Sequence, residues 1–275
     1  MTFATAGVLF AGTLWLYLGF PDRMYLAGFD GLIFGAIADG SEPDWQKHVF
    51  HANHLFFNAL GMGAYRLLRF FGTGADGYRA LEVMNAVFGA AGVAVFFLGV
   101  RALTRDGFVS ALGALALGGT FGYWRRASEG QVYMPSLLCL IGLTLALAFY
   151  LRAPVRRGAV AAAGLAGLAT LFHQSNVLSL IALPMAIRSS GLEPDERRRH
   201  LWWAGLTAGA VIGVPYLAAL LLEGKPHSLH DAWQWMLGTS GRSYRSEGGY
   251  SSPFAGIHLE NFARVSAAIV QAVWF

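Results

Sequence analysis

Apolar runs of bilayer length alternate along this chain with short polar connections, and one long segment breaks the alternation. The first run covers Thr2 to Phe20, the second Arg79 to Leu103, the third Phe108 to Trp124 and the fourth Met134 to Leu151. Gly158 to Ile187 has room for two short spans, interrupted at His173-Gln174-Ser175-Asn176 and bent again at Pro184; a re-entrant hairpin fits the same residues. Leu201 to Leu222 is a seventh run with Pro215 inside it, and a hydrophilic loop from Glu223 to Ile257 leads into an eighth. Crossing hydrocarbon takes roughly 17–25 helical residues, because only a backbone that satisfies its own hydrogen bonds is stable there. The pattern predicts an all-α, polytopic transmembrane helical bundle of about eight spans, a single domain over residues 1–275.

The exception is residues 21–78, read as the first non-cytoplasmic loop. It carries Asp30, Asp39, Glu42 and Asp44, then His48, His51 and His54. A helical period predicts an amphipathic helix over 51–72. His51, His54, Asn58, Gly61, Tyr65 and Arg69 share one side of it; Phe56, Ala59, Leu60, Gly63, Leu67, Phe70 and Phe71 share the other. Arg66, Arg69 and the histidines bar this helix from hydrocarbon. It is suited to the interface plane, apolar side down, with its polar stripe toward a cavity.

Composition sharpens the class. Of 275 residues, 55% are hydrophobic and only 13% charged, against about 25% charged in soluble domains; mean hydropathy is +0.47. The net charge of +4 sits in connections, where it sets orientation instead of recruiting nucleic acid. Arg101 and Arg105, then Arg152, Arg156 and Arg157, then Arg188 and Arg197 to Arg199 occupy the even-numbered connections, which the positive-inside rule assigns to the cytoplasm. The odd connections share the other face, and the chemically interesting polar residues lie on them. The lone Cys139 falls in the fourth run and excludes an intrachain disulfide. The first run starts at Thr2 without a basic flank, as an uncleaved anchor does. The last run stops at Ala272-Val273-Trp274-Phe275 with no charged flank, the expectation being a truncated chain.

Four features on the odd connections bear chemistry. Asp30 stands in an apolar setting, GFDGLIFGA, suited to a general base or a metal ligand; Asp39, Glu42 and Asp44 read equally well as solvated loop residues. His48, His51 and His54 recur every three residues. They can ligate zinc or another divalent cation, hydrogen-bond a phosphate or sugar hydroxyl, or sit in the interface with no ligand. The turn Trp124 to Tyr133 holds Arg125, Arg126 and Glu129, either an anion site or snorkelling belt residues. His173 and Gln174 face a cavity or pair helices.

Together Asp30, HANHLFFNALGMGAYRLLR (51–69), LEVMNAVFGAAGVAVFF (81–97), YWRRASEGQVYMPSL (123–137) and LFHQSNVLSLIALP (171–184) resemble the GT-C superfamily of membrane glycosyltransferases. The likeness is nearest to the branch of protein O-mannosyltransferases, lipid A aminoarabinose transferases and their uncharacterised bacterial relatives. It implies transfer of a sugar from a polyprenyl-phosphate lipid donor to a protein, lipid or glycan acceptor, on the periplasmic face of a bacterial inner membrane. It implies Asp30 and Glu129 as catalytic carboxylates. Substrate contacts would come from His51, His54, Asn58, Arg125, Arg126, Tyr133, His173 and Gln174. The chain departs from the family pattern at Phe29, where Gly is frequent, at His51-Ala52-Asn53-His54, where His-Pro-Pro is frequent, and at Gln131, where an acid often precedes Val-Tyr. A transporter, or a non-enzymatic scaffold or metal-binding subunit, is the alternative class. A transporter predicts charges in mid-span and paired broken helices, whereas here the ionisable residues gather at one face.

Overall fold

A computed structural model describes residues 2–21, 29–43 and 45–236. Asp44, the loop beyond residue 236 and the eighth apolar run lie outside the described residues. Every regular element among the described residues is helical. Helix α1 is Thr2–Gly19, α2 Phe29–Asp39, α3 Phe57–Phe70 and α4 Gly77–Thr104; α5 is Gly107–Gly119, α6 Phe121–Ala127, α7 Tyr133–Arg152 and α8 Arg156–Phe172. Helix α9 is Ala182–Arg188, α10 Pro194–Ala219 and α11 Leu229–Met236.

Local chemistry starts and stops these helices where the sequence supplies it. Asp76 caps α4 by accepting from the Arg79 amide at 2.7 Å, and Asp106 caps α5 by accepting from Phe108 and Val109 at 2.8 and 3.0 Å. Arg105 turns left-handed (φ 60°) to end α4. Pro194 opens α10 with Asp195 and Glu196 in its first turn, a placement that suits the positive end of the helix dipole.

Among the described residues four helices are long and apolar enough to cross a membrane: α1, α4, α7, and α10 with its continuation to Gly224. They match the first, second, fourth and seventh apolar runs. The third run is not one helix: Thr120 adopts an extended conformation (ψ 138°) and separates α5 from the short α6. At 1.5 Å per residue the 13 residues of α5 span only about 20 Å. The interrupted run is α8, of 17 residues, then a 3₁₀ segment Gln174–Ile181 and the seven-residue α9. The break falls at His173, which is extended; its amide still donates to the Ala169 carbonyl at 2.9 Å, and the Asn176 side-chain amide donates to the same carbonyl at 3.1 Å.

The predicted helix 51–72 is also shorter than expected. Residues 52–54 form a 3₁₀ turn and α3 begins only at Phe57. Tertiary contacts outcompete helix there: Leu55 is fully buried against Leu171 and Ala219, and the Phe56 amide donates to Leu171 O at 3.2 Å. The two sides of α3 do segregate. Phe57, Asn58 and Gly61 are buried, while Leu67, Phe70 and Phe71 stand 58%, 82% and 70% exposed.

The connections gather at two ends. At one, Arg152 donates to Leu103 O at 2.6 Å, the Tyr150 hydroxyl meets His200 Nδ1 at 2.8 Å, and Arg156 lies over the Trp203 ring. The arginine-bearing even connections therefore share one end. At the other, the Tyr216 hydroxyl donates to Ala52 O at 2.6 Å and the Phe50 amide to Glu223 Oε2 at 3.3 Å. Between the ends, small residues allow close packing: Ala159, Ala162, Ala163 and Ala166 of α8 are buried with Ala204 and Ala208 of α10. The buried Tyr17 hydroxyl satisfies itself on Gly118 O at 3.0 Å, and Tyr123 on Gly89 O at 2.9 Å.

Helix α2 crosses the start of α4 at glycine on both sides. A Cβ on Gly35 would lie 2.8 Å from the Tyr78 amide nitrogen, and one on Gly77 would overlap the Gly35 carbonyl. Asp39, at the end of α2, accepts from the Gly77 amide at 3.0 Å and fixes the crossing. Gly77→Ala must separate the two backbones. It should destabilise the protein by about 1–3 kcal/mol or more, whereas Gly63→Ala, on the open side of α3, should be neutral or stabilise by about 0.5–1 kcal/mol. Thermal unfolding of both variants in detergent checks this; equal midpoints would mean the crossing is not tight.

Candidate functional site

A cavity of about 300 Å³ opens at the end opposite the arginine-bearing connections. Its wall draws on four stretches: Asp30 and Phe34 from α2, residues between His48 and Asn58 from the loop and first turn of α3, Gln131 and Tyr133 at the start of α7, and His173 beyond α8. Of the residues expected to act together, Asp30, His51, His54, Asn58, Tyr133 and His173 do meet here. Asp30 is exposed at the cavity's mouth, in the first turn of α2. The apolar burial expected from its neighbours is absent, because the side of α2 that packs inward is the one carrying Gly31, Gly35 and Ala38, and Asp30 lies off it.

The histidines form an aromatic cluster. His51 and His54 rings stand edge to face at 4.7 Å, His54 meets Phe34 at 4.7 Å, and His54 lies parallel to Phe57. His51 Nδ1 accepts from the Asn53 amide at 3.3 Å, which places the proton of the neutral ring on Nε2. Burial, with His48 close by, pushes the pKa of His51 down to about 4. Burial, reinforced by His51 and His173, pushes His54 down to about 3. Burial also lowers His173. These imidazoles are thus uncharged near neutral pH.

Two polar atoms of the cavity wall are buried without a hydrogen-bond partner, His54 Nδ1 and Asn58 Oδ1. The Asn58 amide nitrogen is committed to His48 O at 2.7 Å, so its oxygen can only accept. Each such group carries a penalty of about 1–3 kcal/mol, of the kind that marks binding sites.

The Arg125, Arg126 and Glu129 turn lies behind this wall. Glu129 is buried and holds both cations: Arg126 Nη1 at 2.5 Å and Arg125 Nε at 3.6 Å. It lines neither this cavity nor the one beside it, whereas Gln131, two positions on, lines this one. Arg126 also sits 4.2 Å over the Tyr133 ring, and Tyr133 stacks on His173 at 5.4 Å. This stack separates the histidine cavity from a second one of about 310 Å³ that Arg126, Tyr133 and His173 also line. Arg125 lines neither. Gln174 is elsewhere: its amide donates to Met236 O at 2.7 Å, beside an apolar cavity of about 380 Å³.

Asn85 was not among the expected residues. Fully buried in α4, its amide donates to Glu129 O at 2.7 Å and Gln131 O at 2.6 Å, fixing the turn that carries both. An amide within an apolar run was the available signal. Among the described residues no cluster of three or more His, Cys, Asp or Glu could hold a metal, so the three histidines do not assemble the zinc-type site their spacing allows.

The lowered histidine values fix a pH dependence. Unfolded imidazoles bind protons near 6.5, while native His51 and His54 resist until about 4 and 3. Stability should therefore be level above pH 6.5 and fall as pH drops below it, by up to about 2 kcal/mol per residue at pH 5. His54→Phe keeps a ring against Phe34 and should flatten the fall. Unfolding midpoints at pH 7.5 and 5 test this; a flat wild-type profile would show that these histidines are solvated.

This chain matches no protein-family model, no curated protein and no solved structure.

Proposed function

We propose that this chain is an integral-membrane glycosyltransferase. On this reading it moves a sugar from a polyprenyl-phosphate-type lipid to an acceptor hydroxyl on the non-cytoplasmic side of a bacterial inner membrane. The supporting observation is the convergence of Asp30, His51, His54, Asn58, Tyr133 and His173 on one cavity, with Arg126 behind Tyr133. On this reading about eight spans make up the bundle, seven of them on described residues: α1, α4, α7 and α10, with the shorter α5, α8 and the Gln174–Ile181 segment continued by α9 packed against them. Helix α3 lies in the interface, its exposed Leu67, Phe70 and Phe71 in the lipid.

In this mechanism Asp30, at the open mouth, accepts the proton of the acceptor hydroxyl as its oxygen attacks the anomeric carbon. The bond from that carbon to the phosphate oxygen breaks, and the phosphate leaves with its charge balanced by Arg126. Glu129 serves by aiming the two arginines. Asp30→Asn keeps the volume but removes the basicity, and transfer should fall by at least about 10²-fold. Glu42→Gln, in the same loop but outside the cavity, should cost little. Single-turnover sugar transfer in proteoliposomes decides it, and near-wild-type transfer by Asp30→Asn ends the assignment.

The orientation has its own test. With Cys139 replaced, a cysteine at the exposed position of Asn53 should label from outside, and one at the exposed position of Arg198 only after permeabilisation. Labelling of both from one side overturns the topology.

A further inference from the structure

Helix α10 buries only a narrow side. Ala204 and Ala208 pack against α8, yet just 11% of its apolar window is buried, against 50% for α4. One position further round stand Gly205, Gly209 and Gly213, where an added Cβ would meet no neighbour within 4 Å among the described residues. A groove runs beside them. Its part nearer the arginine-bearing end, about 530 Å³, lies between Leu180, Pro184 and Ile187 on one wall and Leu201, Gly205 and Gly209 on the other. The next part, about 380 Å³, shares Ile212 and Gly213 with the first and reaches Gln174, Leu220 and Met236. From Leu201 to Leu220 the groove measures about 28 Å at 1.5 Å per residue, close to the roughly 30 Å of bilayer hydrocarbon.

A trough of that length suits one transmembrane helix. In lipid such helices are held by close packing, and glycine lets the two backbones approach. The chain supplies a candidate at the groove's own mouth. Met236 lines that mouth, and its carbonyl accepts from the Gln174 amide at 2.7 Å. Beyond the hydrophilic stretch that follows, the eighth apolar run carries Ala263 and Ala267, then Ala268 and Ala272, each pair four residues apart.

We propose that this run, residues 258–275, lies antiparallel to α10 in the groove, with its alanines against Gly209 and Gly213. His258, Glu260 and Arg264, in its first two turns, then fall toward the mouth, where Thr170 and Gln174 make the wall polar. Tethering at the mouth gives the run an advantage over a second copy of the chain. The contact follows from packing in a bilayer and holds whether or not the protein transfers sugar.

Disulfide trapping in native membranes tests it on the full chain carrying Cys139→Ala. Gly209→Cys is paired in turn with single cysteines from Ala263 to Val273, and copper phenanthroline oxidises each pair. Cleavage at a protease site inserted after Gly248 shows which pairs still hold the two pieces together. Linked positions should recur every three or four residues. With Gly213→Cys the linked set should move about four positions toward Ala263, as antiparallel helices require. Gly7→Cys, at an equally open place on α1, should link nowhere in the run. Gly205→Leu, which leaves Ala204 and Ala208 on α8, should cut linking through Gly209→Cys at least about fivefold by crowding the groove. Gly205→Cys serves if Gly209→Cys fails to fold, with the linked set moved about four positions toward Phe275.

Disulfide-linked dimers formed by Gly209→Cys alone, in place of intrachain links, would give the groove to a second copy and overturn the inference. Links to Gly7→Cys, links without a helical period, or no links at all overturn it equally.

Discussion

The site depends on one backbone contact, the crossing of α2 over the start of α4 at Gly35 and Gly77. No side chain separates the two helices there, and the Asp39 carboxylate closes the contact on the Gly77 amide. Because α2 is only 11 residues long, pinning its last two turns also sets the position of its first. Gly31, one turn before Gly35, lets the helix approach the Gly130 carbonyl and the Gln131 side chain. The crossing thus brings Asp30 over the same cavity that Gln131 and Tyr133 line from behind. Asn85 fixes that turn from inside α4. One helix, α4, therefore positions both walls.

The electrostatics follow from this arrangement. Packing the His51–His54 loop under α2 and against α8 strips water from the imidazoles, and their mutual proximity opposes protonation further. Placing Glu129 between two arginines concentrates positive charge on the other side of Tyr133. Among the described residues, the uncharged imidazoles of His51, His54 and His173, the arginines held by Glu129 and the carboxylate of Asp30 are thereby set around the Tyr133–His173 stack. The same packing leaves two polar atoms unpaired, a cost that a folded protein bears where a ligand offsets it.

The amphipathicity of α3 shows how a pattern can mark an apolar stripe and miss the limits of its helix. Phe57, Asn58 and Gly61 face protein, and Leu67, Phe70 and Phe71 face outward. In water that arrangement would be inverted, and at a bilayer interface it is the expected one. The helix nevertheless starts at Phe57, because the preceding turn has better partners in α8 and α10 than in its own backbone.

The class, the apolar runs that became α1, α4, α7 and α10, and the separation of arginine-bearing from histidine-bearing connections were legible in the sequence. Each reflects a local property: run length against bilayer thickness, or charge placed in a connection. The grouping of Asp30 with His51, His54, Tyr133 and His173 was legible only as an expectation that the odd connections share a face. Exposure of Asp30, the role of Glu129 as a clamp on two arginines, the diversion of Gln174 to Met236 and the break at Thr120 were not. Those outcomes hang on which surfaces meet across long sequence separations, as at Gly35 and Gly77. A helical period carries no information about the partner a face will find, so tertiary packing decided them.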